Sequence, residues 1–96
     1  MERIVVVARL KPGSHEQAKA LLEEGPPYDL ASAGFERHAV YLSDDEVVFL
    51  FEGNGIDRRV RELINDPVRS ASFSAWGPLL ADGPRVAVER FSWSSQ

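Results

Sequence analysis

Few residues in this sequence can move a proton near neutral pH. Of its two histidines, His38 lies in the apolar stretch from Phe35 to Leu42, flanked by Arg37 and Ala39. A partly desolvated imidazole there can accept or donate a proton at pH 7, as enolisation, cyclisation or phenol deprotonation requires. A histidine that is simply hydrogen-bonded across a hairpin or at a subunit seam would look the same. Arg37 and Arg9 offer guanidinium forks suited to a developing enolate or phenolate, or equally to Glu36, Glu46, Glu52 or Glu89 on neighbouring strands. Strand alternation sends His38 to one face and both Arg37 and Tyr41 to the other, which rules out one three-residue cluster. Trp76, with Phe73 three residues earlier, and Tyr28 in a long loop are candidate pocket walls. Their flat rings can stack on a flat ligand, or fill a core.

Other chemistries find less support. The 96 residues contain no cysteine, which removes disulfides, thiolate catalysis, iron–sulfur clusters and zinc knuckles. No carboxylate joins His15 and His38 at ligand spacing, so no metal is expected, and no residue pattern asks for a cofactor. His15 is expected to be exposed on a first helical turn, where positive charge is disfavoured, and has no catalytic role. A net charge of −4 with scattered Lys and Arg argues against nucleic acid. The "GNG" at Gly53 to Gly55 lacks the further glycine and lysine of a phosphate loop. Asp44, Asp45 and Glu46 read as a solvated hairpin tip. No apolar run reaches the ~18 residues of a membrane span, and Met1-Glu2-Arg3 opens into a strand rather than a targeting segment. A cytoplasmic protein is the expectation.

The elements that must position these residues follow from periodicity. Ile4 to Leu10 is a short, β-branched run, hence a buried strand. Ser14 with Gln17 has the pattern of a capping box, and Ala18, Leu21 and Leu22 form the apolar stripe of a helix that Gly25-Pro26-Pro27 stops. After a loop at 25–34 come strands from Phe35 to Leu42 and from Glu46 to Glu52, joined by Ser43-Asp44-Asp45 as an antiparallel hairpin. Asn54 and Asp57 can cap a second helix striped by Ile56, Val60, Leu63 and Ile64. Asp66-Pro67 is a further cap, and a helical period runs from Val68 until Gly77-Pro78 ends or kinks it. Asp82-Gly83-Pro84 turns into a fourth strand, Val86 to Trp93. The order βαββαβ predicts a single α+β domain, residues 1–96, with a ferredoxin-like fold and a four-stranded antiparallel sheet.

Two helices cover one face of such a sheet. Here both faces are apolar in at least three strands: Val5 and Val7 oppose Ile4, Val6, Ala8 and Leu10, Val48 and Leu50 oppose Val47, Phe49 and Phe51, and Val86 and Val88 oppose Ala87, Phe91 and Trp93. An uncovered face of that kind is unusual in a monomer. Unless the long loops fold over it, a homodimer packed through sheet faces is the expected solution, burying on the order of 800 Å² per partner.

The chain resembles the dimeric α/β-barrel superfamily, which includes antibiotic biosynthesis monooxygenases, polyketide cyclases, muconolactone isomerase-like proteins and haem-degrading relatives. The resemblance runs through "IVVVARLKPGSHEQAKALL", the hairpin "ERHAVYLSDDEVVFLFEG" and "DPVRSASFSAWGPLLADGPRVAVERFSW". It implies a pocket between helices and sheet for an aromatic or polycyclic compound. Some members oxygenate without metal or flavin, some cyclise or isomerise, and some bind haem. For this chain it implies a cofactor-independent monooxygenase or cyclase/isomerase acting on an aromatic or polyketide-like compound. His38 would then transfer the proton, with Trp76, Phe73 and Tyr28 shaping the pocket. The alternative is a non-catalytic ligand-binding or assembly protein of the same fold.

Overall fold

The computed structural model describes residues 2–25, 34–65 and 75–95, with 63–65 described by their backbone alone. Tyr28, Phe73 and the Asp66-Pro67 cap lie outside the described residues. The elements are β1 (Glu2–Arg9), α1 (His15–Glu23), β2 (Arg37–Leu42), β3 (Glu46–Gly53), α2 (Ile56–Asn65), a 3-10 turn (Gly77–Leu79) and β4 (Arg85–Val88). The sheet order is β2-β3-β1-β4 with every neighbouring pair antiparallel. This is the expected ferredoxin-like arrangement.

The pleat sorts the side chains as the alternation requires. Ile4, Val6 and Ala8 of β1 are buried on the helix side, opposite Phe51, Phe49 and Val47 of β3, and Leu10, just past the strand, is buried beside them. Ile56 and Val60, one turn apart on α2, join Ile4, Val6, Phe35 and Phe51 in one core cluster. Ala18 of α1 joins Ala8, Leu10, Val47 and Leu79 in a second, with Leu21 packed against it. Each fully buried aliphatic side chain of this kind contributes about 1.5–3 kcal/mol through removal of apolar surface from water.

Three local expectations are corrected. Ser14 stands at the N-cap of α1 but forms no capping box. Its backbone is already helical (φ −92°, ψ −3°) and its side chain makes no cap bond. A capping hydroxyl reaches the N–H groups of the first turn from an extended residue; Ser14 is instead buried, and its carbonyl accepts the Ala18 N–H at 2.9 Å. The other end of α1 behaves as expected: Gly25 takes φ +88°, and its N–H donates to the Leu22 carbonyl at 3.1 Å.

The hairpin loop is tighter than three residues. Ser43 N–H donates to the Glu46 carbonyl at 2.9 Å, leaving only Asp44 and Asp45 in the turn. Neither aspartate takes positive φ, so the turn is not one of the mirror-image types that two-residue hairpins prefer. Ser43 Oγ supplies the missing closure by accepting the Glu46 N–H at 3.0 Å.

The last strand stops early. β4 ends at Val88 rather than Trp93 because it is an edge strand whose one neighbour is β1, and their ladder ends at Ile4 with Val88. Residues 89–95 have no regular structure, and Phe91 and Trp93 are 84% and 79% exposed.

Candidate functional site

His38 stands on the edge strand β2, directly across from Phe51 of β3, and so on the helix side of the sheet. It shares a rung with Phe51, Ile4 and Val88. Its ring stacks on Phe51 at 4.6 Å between centroids and lies nearly parallel to Phe49 at 6.5 Å. Phe51 in turn meets Phe35 at 4.9 Å, and Phe49 meets Trp76 edge-on at 5.2 Å. The imidazole is thus part of an aromatic row that crosses the helix side of the sheet.

The Nδ1 atom lies 3.0 Å from the Leu50 carbonyl. A carbonyl only accepts, so Nδ1 carries the proton and Nε2 of the neutral ring carries the lone pair. Burial pushes the His38 pKa below its ordinary 6.5, and the Leu50 carbonyl opposes that shift. The folded chain therefore holds the ring neutral at pH 7, in the form that can take up a proton at Nε2.

This shift has a stability consequence. Below pH 6.5 the unfolded chain binds a proton that the folded chain resists. The contribution of His38 is therefore fully present above 6.5 and is lost as the pH falls from there through the folded-state value. An NMR titration of the His38 ring should show a midpoint below 6.5. Replacing His38 by Gln should flatten the pH dependence of the urea midpoint between neutral and mildly acidic conditions.

Trp76 is half-buried just before the 3-10 turn and packs against the cluster around Ala8 and Leu79. Its face toward Phe49 links it to His38 through one intervening ring. Arg37 and Tyr41 lie on the opposite face, as alternation demands. Arg37 pairs with Glu52 at 3.2 Å, and this carboxylate, with the Tyr41 hydroxyl second, raises its pKa. Arg3 reaches the same Glu52 oxygen at 3.0 Å and Glu89 at 3.6 Å. The side chain of Arg9 faces away from His38, across from Glu46, and its main-chain N–H donates to Asp82 at 3.1 Å. Neither arginine shares a pocket with His38.

His15 is half-buried rather than exposed. Its Nδ1 lies 3.0 Å from the Ser43 carbonyl, to which it donates, tying α1 to the hairpin. Among the described residues no group of three or more His, Cys, Asp or Glu side chains could hold a metal ion, and no helix is long and apolar enough to cross a membrane. An open cleft of about 320 Å³ lies at the other edge of the sheet, between Ile4, Val88 and the first turn of α2 at Ile56 and Asp57. Neither His38 nor Trp76 lines it.

No protein-family model matches the sequence, and no curated protein matches it. Solved structures match it in shape. Tetracenomycin F2 cyclase from Streptomyces glaucescens, a type II polyketide cyclase, is similar over 100% of both chains, with a TM-score of 0.73 and 21% identity. A dimeric ferredoxin-like protein from an uncultured marine organism covers 98% of this chain and 99% of its own, at TM-score 0.61 and 14% identity. The chain has the ferredoxin-like fold. L-rhamnose mutarotase from Formosa agariphila has it too, at TM-score 0.71, 10% identity and 100% coverage of both chains.

In this ferredoxin-like fold, sequence reasoning found His38 and Trp76 but missed the rings that join them. Phe49 and Phe51 were legible only as alternating core residues of a strand. Once β2 and β3 are paired through a two-residue turn, the same alternation brings both rings beside His38. Among the described residues no helix packs on the second sheet face, where Leu50 is buried, Val5, Val7, Ala39 and Val48 are half-buried and Tyr41 is 54% exposed.

Proposed function

We propose that this protein is a small-molecule-binding homodimer of the dimeric α/β-barrel type. It acts without a cofactor on an aromatic or polyketide-like compound, as a cyclase/isomerase or a monooxygenase, with His38 as the proton-transfer group. The observation that carries this reading is the setting of His38: Nδ1 is committed to Leu50, the ring is flanked by Phe51 and Phe49, and Nε2 holds the lone pair. A substrate C–H or O–H proton passes to Nε2. The resulting enolate or phenolate then adds to a carbonyl of the same molecule in the cyclase case, or reacts with dioxygen in the monooxygenase case. Trp76 is the described wall beside this row, and Phe73 and Tyr28 are proposed as the others. The full-length likeness to a type II polyketide cyclase supports the cyclase arm. The homodimer forms through the uncovered sheet faces, and the dimeric ferredoxin-like neighbour supports it.

A non-catalytic ligand-binding or assembly role is the second reading, favoured by the one observation that the described cleft excludes His38. Deuterium exchange at the enolisable carbon of anthrone, a flat phenol tautomer, separates the two. The wild-type protein should accelerate exchange over buffer, and His38→Gln, which keeps a donor for Leu50, should lose roughly 10²–10⁴-fold of that rate while remaining folded. Equal exchange by both proteins sinks the proton-transfer role. Anthrone binding without any acceleration favours the second reading.

A further inference from the structure

Helix α2 carries the arginines Arg58, Arg59 and Arg61, and two of them are neutralised on the helix itself. Arg58 pairs with Glu62 at 3.6 Å and Arg61 with Asp57 at 2.8 Å. Arg59 has no carboxylate partner among the described residues. Its Nε–H donates instead to the Asn54 carbonyl at 3.0 Å, and the rest of the guanidinium lies against Gly34. That approach requires a glycine: at φ +89°, a Cβ on residue 34 would overlap Nη1 and Cζ of Arg59. Gly34 itself rests on Gly53, where a Cβ would come within 3.1 Å of the Gly34 carbonyl oxygen. Arg59 is exposed to solvent, but a main-chain carbonyl and a glycine backbone fix where its charge sits.

Helix stability gives no account of this placement. Arg59 lies in the first turn of α2, where the helix dipole disfavours a cation, and the acidic residue of that turn, Asp57, is already engaged by Arg61. An anion bound there gains from the guanidinium and from the dipole together. With Nε committed, the remaining N–H donors of the fork still match the two oxygens of a carboxylate. The position is also joined to the aromatic row. Gly34 is followed by Phe35, whose ring meets Phe51, and Phe51 carries the His38 ring. Gly34 and His38 are four positions apart, so the backbone under the guanidinium lies within about 14 Å of the backbone that bears the imidazole.

We infer that Arg59 is the anion-recognising residue of this site and that the ligand is an aromatic carboxylic acid, held by its carboxylate at Arg59 with its rings directed along the aromatic row toward His38. The inference rests on the aromatic-ligand reading proposed above and narrows it to acids. An apolar row binds flat rings without fixing their direction. One fixed charge at its end sets which end of the molecule reaches Nε2 of His38. The chain as a whole is acidic, with a net charge of −4, so an anion is drawn here by the local guanidinium and not by the overall field.

The test is equilibrium dialysis of the full chain against anthraquinone-2-carboxylate and its neutral carboxamide, flat probes of the same size with no enolisable proton. The wild-type protein should bind the carboxylate about 10-fold or more tightly than the amide. Arg59→Gln should bring that ratio close to one, and Arg59→Lys, which keeps the charge without the fork, should retain part of it. Arg59 is exposed, so both variants should keep the wild-type circular dichroism. The unmodified protein supplies a reading free of any variant: raising the salt from about 0.01 M to about 1 M should shrink the ratio. A wild-type ratio below about threefold, or one that survives in Arg59→Gln, overturns the role of Arg59 and leaves the aromatic-ligand reading standing. A wild-type protein that binds neither probe overturns both.

Discussion

Phe51→Ala is expected to lose about 3–5 kcal/mol of stability and to show little or no cooperative urea transition. Phe51 is 3% exposed on β3, an interior strand of the sheet. It packs with Ile4, Val6, Phe35, Ile56 and Val60 and carries the His38 ring on its face. Truncation leaves a cavity bounded by two strands and α2, elements that cannot collapse onto it without losing their own contacts. A domain of this size has in all about 5–15 kcal/mol of stability, so the loss consumes much of it. Phe51→Leu, which refills most of the volume, should cost about 1 kcal/mol and retain a clear transition. Equal midpoints for the alanine and wild-type proteins would show that the aromatic row is not part of the core.

Val48→Lys is expected to abolish the proposed dimer while leaving the protomer folded. Val48 lies between Val7 of β1 and Tyr41 of β2 on the uncovered side. In the single chain it is half-buried and borders solvent, so a lysine there can extend its ammonium into water at little cost. A two-fold interface introduces the charge twice into the same apolar contact. Desolvating an unpaired ammonium costs several kcal/mol, so dimerisation should weaken by about 10³-fold or more. Sedimentation should then report the mass of one chain. A variant that keeps the dimer mass would show that the sheet faces do not meet.

Much of the architecture was legible because β-strands have a side-chain period of two. That period placed His38 opposite Arg37 and Tyr41, and it marked both sheet faces as apolar before any pairing was known. Helix stripes at Ala18, Leu21, Ile56 and Val60 were equally clear, since only one face of each helix can be buried. Capping was less legible: Ser14 and Gln17 have the right identities and spacing, but the cap depends on the backbone angles of Ser14, whose N–H donates to the Lys11 carbonyl at 3.1 Å in a turn already helical at Ser14.

For the candidate site, the sequence by itself determined which residues could share a face with His38 and which could not. Tertiary structure decided which partners His38 has. A three-residue turn would have set His38 across from Leu50; the two-residue turn closed by Ser43 sets it across from Phe51. One residue of register exchanges the faces of a strand, and no local propensity reports register. The ring's tautomer, its depressed pKa and its place in the aromatic row all follow from that pairing. The end of β4 is the same kind of fact. Val86 to Trp93 has strand composition throughout, but the ladder that β4 forms with β1 ends at Ile4 with Val88, and strand composition does not report where a ladder ends.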